Sequence, residues 1–165
     1  RMRPFDEAIK VADHIPGIGV RIAQEILAEM GTDMSRFPSH YHLASWAGLS
    51  PGNNESAGKR LSGRIKHGNP HIRTALVEAA HAAAHTKDTY YSAMYHRLAA
   101  RRGAKRAIVA VAHAILVALY HMLKNGTCYE DLGPDYLEKL GRERLVRKAK
   151  KQLENLGYRV TLEAA

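Results

Sequence analysis

Ala12-Asp13-His14-Ile15-Pro16-Gly17-Ile18-Gly19-Val20 is the stretch whose reading decides how this chain folds. Before it, Phe5, Ala8, Ile9 and Ala12 recur at helical spacing, with Pro4 at a first-turn position. After it, Ile22, Ala23, Ile26, Leu27 and Met30 resume the same period, and Gly31 stands where a helix ends. Residues 5–31 therefore read as helix, Pro-Gly-Ile-Gly turn, helix, the pattern of a helix-hairpin-helix unit. Gly17 and Gly19 admit two readings. They let backbone approach a phosphate, at the start of a helix whose first N–H groups are free, or they simply make a tight interhelical turn. Arg21, early in the second helix, tilts the balance toward DNA.

Working outward, Tyr41 to Ala47 reads as a short helix with the sole tryptophan, Trp46, on its buried side. Residues 48–70 are rich in Gly, Ser, Asn and Pro, a long non-helical stretch of the kind that often carries function. Within it, Lys59–Arg60 and Arg64–Ile65–Lys66 read as two short strands or an irregular loop. Asn69-Pro70 then makes an N-cap and first helical position. Ile72, Ala75, Leu76, Ala79, Ala80 and Ala83 follow on one face, and so much alanine implies close helix–helix approach. Helices are expected over Asp88–Ala100 and Ala104–Lys124, the latter with an Ile/Val/Leu stripe that Asn125-Gly126 ends. Asp135 to Leu156 reads as a last, highly charged helix. Its apolar stripe (Leu140, Leu145, Leu153, Leu156) is thin, so part of it should pack poorly or on something else. The expected fold is all-α, of five to seven helices. Two units are expected, residues 1–126 and a basic helical extension over 127–165.

Composition narrows the function. The 165 residues are 45% hydrophobic and 25% charged, a globular balance that excludes an acidic or low-complexity chain. One cysteine, Cys128, excludes an internal disulfide framework and a zinc site built on several thiolates. No signal-peptide pattern opens the chain, and the most apolar stretch, Ala107 to Leu123, carries His113 and His121 and reads as a core helix. The net charge of +9 and pI near 9.8 point to a polyanionic partner. A membrane surface fits poorly, because the long helix has no one-sided Lys/Arg face. The charge is concentrated. Lys59, Arg60, Arg64, Lys66 and Arg73 fall between residues 59 and 73 with no acid among them. A second cluster is Arg101, Arg102, Lys105 and Arg106. A third runs from Arg142 to Lys151, and a solvated helix face accounts for it equally well. Five cations in one loop repel one another unless an anion visits.

Ser56 lies in Asn53-Asn54-Glu55-Ser56-Ala57-Gly58-Lys59-Arg60. Small neighbours expose its hydroxyl, and two cations follow within four residues. That arrangement suits a nucleophile at a phosphate, but a serine in a polar loop is ordinarily a loop residue. The residues alone do not choose.

Three stretches taken together resemble the C-terminal (transposase-20) domain of insertion-sequence transposases of the one-hundred-and-ten and one-hundred-and-sixteen type. They are the Pro-Gly-Ile-Gly unit through Gly31, the run Phe37 to Pro51 with Ala44-Ser45-Trp46-Ala47-Gly48-Leu49-Ser50-Pro51, and Ser56-Ala57-Gly58-Lys59 continuing through Gly63, Lys66, His67, Gly68 and Asn69-Pro70 to Arg73. The resemblance covers about residues 5 to 125. It implies a bacterial, cytoplasmic, nucleoid-associated DNA recombinase that mobilises its own element. Such enzymes pair an N-terminal RuvC-like domain, bearing acidic metal ligands for Mg²⁺, with a helical domain that supplies a serine. A structured guide RNA directs them, and they assemble as oligomers on DNA. Ser56 matches the family's serine, with Ser62 and then Ser50 as the next candidates. Lys59, Arg60, Arg64, Lys66 and Arg73 would hold phosphates, with Gly17, Gly19 and Arg21 as a second contact. The acidic half is absent from this sequence, so a fragment is expected that binds nucleic acid, holds no metal or other cofactor and is inactive alone. The rival reading is a non-enzymatic helix-hairpin-helix module of a repair or junction-processing protein.

Other candidates have plainer explanations. Glu78, His81 and His85 share a helix face, with the histidines at metal-ligand spacing, but no further ligand is placed to complete a shell. Tyr90, Tyr91 and Tyr95 suit either base stacking or helix packing. Trp46 is read as core, His113 as a hydrogen-bonded residue at the core edge, and Cys128 is assigned no chemistry.

Overall fold

The computed structural model describes residues 5–50, 54–56, 59–62, 65 and 67–161. They form seven α-helices and one two-stranded hairpin. The elements are α1 (Asp6–Asp13), α2 (Val20–Met30), α3 (His40–Trp46), β1 (Asn54–Ser56), β2 (Lys59–Ser62), α4 (Pro70–His85), α5 (Tyr90–Arg102), α6 (Ala104–Asn125) and α7 (Tyr136–Asn155). A single 3₁₀ turn, Met34–Arg36, joins α2 to α3 and is capped by the Asp33 carboxylate on Ser35 N at 2.9 Å. The fold is all-α in class, as the periodicities predict.

The helices begin and end where local chemistry dictates. Asp6 and Glu7 occupy the first turn of α1 and Lys10 the last, each complementing the helix dipole. Gly31, at φ +73°, stops α2. Asn69 caps α4, its Oδ1 accepting from His71 N at 2.9 Å and Ile72 N at 3.3 Å, with Pro70 in the first turn. Thr89 caps α5 through Ser92 N, and Gly126 closes α6 in the left-handed region.

Packing centres on α4, α5 and α6, three consecutive helices joined by short turns. Ser92 Oγ donates to Ala84 O at 3.0 Å, tying the start of α5 to the end of α4. The three therefore run up, down and up. On α4, Ala75, Ala79, Ala80, Ala83 and Ala84 are all buried, and these short side chains let α2 and α6 approach closely. Ile72, Leu76, Ile115, Leu116 and Leu119 fill the space between them. Tyr120 is also buried, and its hydroxyl donates to Phe37 O at 3.2 Å, satisfying the one polar atom it brings inside. α6 is long and apolar enough to cross a membrane by length and composition, but here it is the central core helix.

Two expectations change. Trp46 is 37% exposed rather than core: its ring packs on Phe37 with centroids 5.6 Å apart, and the rest faces solvent. The strand pairing also differs. The strand expected at Lys59–Arg60 is present and extends to Ser62 as β2, but its partner is β1, which ends at the serine, while Arg64 and Lys66 of the other expected strand lie outside the described residues. α7 behaves as its thin stripe predicts. It buries no residue and packs on α5, with Arg97 Nη1 donating to Leu137 O at 2.9 Å. Leu145 and Leu156 are 70% and 73% exposed.

Candidate nucleic-acid interface

The serine-bearing loop leaves and rejoins the helical body at one clasp. α3 ends at Trp46, and Gly48, at φ +69°, turns the chain outward. Leu49 then plugs into the core. At the far end, Gly68 lies directly on Gly48. A Cβ on Gly68 would fall 2.5 Å from Gly48 Cα and 2.6 Å from Trp46 O, so only glycine fits. Asn69 N donates to Trp46 O at 2.9 Å, and Asn69 Nδ2 donates to Glu29 Oε2 at 2.6 Å at the end of α2. Asn69 thus caps α4, closes the loop and anchors α2 at once.

Between these ends β1 and β2 pair antiparallel, with Asn54 opposite Ser62, Glu55 opposite Arg60 and Ser56 opposite Lys59. The register shifts between Asn54 and Glu55. Ser56 is therefore the last residue of its strand, and its backbone partner is the first cation of the cluster. Ser50 stands at the base of the loop and Ser62 at the end of β2. Arg73 lies half-buried in the first turns of α4, close to the clasp. Arg64 and Lys66 lie outside the described residues, while His67 and His71 flank the clasp and are exposed.

The α1–α2 turn sits elsewhere on α4. Ile15 and Ile18 insert into the core, and Ile15 N and Ile18 N bond to Ala12 O and Ile15 O at 3.0 and 2.9 Å. Gly17, at φ +88°, lies hard against α4: a Cβ there would come within 2.7 Å of Ala83 N and would overlap Ala79 O. Its glycine is demanded by packing. Gly19 is different. It is exposed, holds an ordinary extended conformation, and a Cβ would meet nothing within 4 Å. It precedes α2 without a side-chain cap, so the first N–H groups of α2 have no such partner. From Ala83 to Asn69 along α4 is roughly 20 Å, which is the distance between the turn and the clasp.

Arg21 does not project freely. It donates to Glu25 Oε1 at 2.6 Å and to Glu78 Oε1 on α4. Those hydrogen bonds and charges, Glu25 first, hold the guanidinium more firmly protonated than usual. Sequence reading overlooked this pairing, although Glu25 stands four residues on, at salt-bridge spacing. It also overlooked the clasp, whose signal was the glycine at each end of the loop and an asparagine before a proline.

Glu78 is thus taken by Arg21. His81 and His85 are exposed on α4, with His85 Nδ1 against His81 O at 2.7 Å. Among the described residues no three of His, Cys, Asp or Glu converge on a metal-sized site. Tyr91 is buried and stacked on Tyr129, while Tyr90 is half-buried, its N–H donating to Asp131 Oδ1 at 3.0 Å. Burial pushes both phenols upward in pKa. His113 faces a cleft of about 530 Å³ that it shares with His40, His121, Tyr90 and Tyr129. Burial, and then the nearby His40, push its pKa below 6.5. Cys128 is exposed.

The sequence that builds this helical body and its clasped loop matches a known family. The model of the Transposase IS116/IS110/IS902 family matches residues 10–97, slightly more than half of the chain. The chain belongs to that family. The matched span runs from α1 through the turn, the clasp and α4 into α5. A relative from Streptomyces coelicolor, described as an uncharacterized 43.6 kDa protein of insertion element IS110, is 34% identical over 131 residues. That alignment covers 78% of this chain and 32% of the relative, so the chain spans about a third of the protein it matches.

Proposed function

We propose that this domain binds DNA and supplies Ser56 as the nucleophile for strand cleavage and rejoining in a transposition reaction. The observation that carries the reading is the hairpin register. It pairs Ser56 with Lys59, in a cationic loop hung from a rigid clasp at the start of α4. In the proposed step the Ser56 hydroxyl oxygen attacks a backbone phosphorus. A serine–phosphate bond forms, the bond to one sugar oxygen breaks, and that oxygen leaves as a hydroxyl. The serine proton passes to a base or solvent. Rejoining is the reverse attack by a strand-end hydroxyl. Lys59, Arg60, Arg64, Lys66 and Arg73 hold the scissile and flanking phosphates and offset the charge that builds on them.

The exposed Gly19 and the free N–H groups at the start of α2 form the second phosphate contact. Gly17 serves that contact only by fixing the turn on α4. Arg21 contributes through its ion pair with Glu78, which fastens the start of α2. The acidic, Mg²⁺-binding half is assigned to another part of the full-length protein, where the ion would supply stabilisation of charge on the reacting phosphate. A structured guide RNA and assembly on DNA belong to that full-length protein as well. Function in the bacterial cytoplasm, at the nucleoid, follows from this reading.

The test is Ser56→Ala in the full-length protein. Recombination should fall by roughly a thousandfold or more, while DNA affinity stays within about twofold. Recombination that survives the substitution removes the serine from the mechanism.

A further inference from the structure

The corner between α5 and α6 carries Arg101, Arg102, Lys105 and Arg106, all exposed, around Gly103. Among the described residues the ion pairs are Lys10–Glu7, Arg21–Glu25, Arg21–Glu78 and Lys150–Glu154, so none engages this corner. No acidic residue occurs in the sequence between Asp88 and Glu130. Four like charges within six residues destabilise the free chain. Lys105 and Arg106 add to this, because they sit in the first turn of α6, where the helix dipole disfavours cations. α6 has neither an acidic residue there nor a side-chain cap. The packing of the core needs none of the four. Arg101 and Arg102 sit in the last turn of α5, where the helix dipole suits them, but Lys105 and Arg106 work against α6 with no acid at the corner, and such an arrangement marks a surface that meets an anion.

Topology places the corner. α5 starts where α4 ends, through Ser92 and Ala84, and runs back along it. The last turn of α5 and the first turn of α6 therefore lie at the end of the bundle where α4 begins. That is the end that carries the clasp and the serine-bearing loop.

We propose that Arg101, Arg102, Lys105 and Arg106 form a second phosphate-binding surface. It grips the sugar–phosphate backbone of the same duplex DNA whose strand lies at Ser56. The partner is DNA rather than RNA because the corner lies at the end of the bundle from which the serine-bearing loop hangs. The inference rests on the DNA-binding reading above. It adds a contact that is independent of sequence and strongly dependent on salt, and it assigns this corner to holding the duplex rather than to chemistry.

The test measures binding of a fluorescent duplex by the full chain between about 50 and 200 mM salt. Each phosphate contact contributes about 0.9 to the slope of log K against log salt. The quadruple alanine variant R101A/R102A/K105A/R106A should bind roughly 10- to 100-fold more weakly at low salt, with a slope shallower by about three to four. Lys105→Glu with Arg106→Glu is the second variant. It should keep or raise thermal stability, because acids suit the first turn of α6, yet weaken binding as strongly. An unchanged slope in both variants overturns the proposal, as does a loss confined to a structured RNA of similar length. Lys59→Ala with Arg60→Ala separates the two claims. If that pair lowers the slope and the corner variants do not, only the corner is wrong. If the wild-type chain shows no salt-dependent DNA binding, both readings fall.

Discussion

Two glycine-bearing segments hang on α4, and they differ in what their packed glycines press against. In the turn at residues 14–19, Gly17 is pressed against the α4 backbone near Ala79 and Ala83, while Gly19, two residues on, faces open space. In the loop at residues 48–68, Gly48 and Gly68 are pressed against each other, and what they close off is the hairpin with Ser56. In both places the packed glycine is scaffold, and in the turn the exposed Gly19 beside it is free to meet a ligand. A glycine motif therefore does not mark a phosphate contact residue by residue. It marks where the backbone must come close to something, and in three of these four positions that something is the protein itself.

The sharpest break of this comparison is within the turn. Gly17→Ala forces a side chain into a left-handed φ and into α4 backbone, and should cost about 2–4 kcal/mol. Thermal denaturation should show a Tm lower by roughly 5–15 °C for a chain of this size. Gly19→Ala should leave Tm within about 2 °C, since its conformation is ordinary and nothing lies within 4 Å. Equal losses at both positions would erase the distinction.

The loop end of the comparison is tested at the clasp. Gly68→Ala should cost about 1–3 kcal/mol by overpacking against Gly48 and Trp46 O. It should also shift the emission of Trp46, the sole tryptophan, which sits half-exposed at that junction. A stability loss with an unchanged Trp46 spectrum would place the strain elsewhere.

The smallest effect concerns the body against which both segments are compared. His113 has a folded-state pKa below its unfolded value, so the unfolded chain binds more protons in the intervening range. Stability is therefore full above about pH 6.5 and falls as pH drops toward and through the folded pKa. His113→Gln should flatten the dependence of Tm on pH between about 7 and 5. A slope as steep as the wild-type would assign the acid sensitivity to other groups.

Much of this architecture is legible in the residues, for identifiable reasons. The alanine face of α4, the Asn69-Pro70 start and the glycines after α2 and α6 are local signals, and tertiary packing agrees with each of them. The thin stripe of α7 likewise announces a helix with little to pack on. The hairpin was harder to read. Its strands are three and four residues long and charged, with no apolar alternation to set a register, so Lys59–Arg60 stood out by charge and β1 did not. Trp46 and Arg21 illustrate a different limit. A tryptophan on a short helix and an arginine near a Pro-Gly-Ile-Gly turn have obvious roles by type. Their actual partners are Phe37, across the turn that leads into α3, and Glu78, on α4 57 residues away. Of the candidate site, the serine and its cations were visible as a cluster. The pairing of Ser56 with Lys59 and the clasp beneath them exist only in three dimensions.

The most direct test is to trap the covalent intermediate. The full-length protein is incubated with a DNA substrate nicked so that the rejoining strand end is lost, then digested and analysed by mass spectrometry. The account predicts a nucleotide adduct on the peptide that contains Ser56, attached at that serine through a phosphodiester, and no adduct in Ser56→Ala. An adduct located at Ser62 or Ser50, or cleavage of the substrate with no protein–DNA linkage at all, would contradict it.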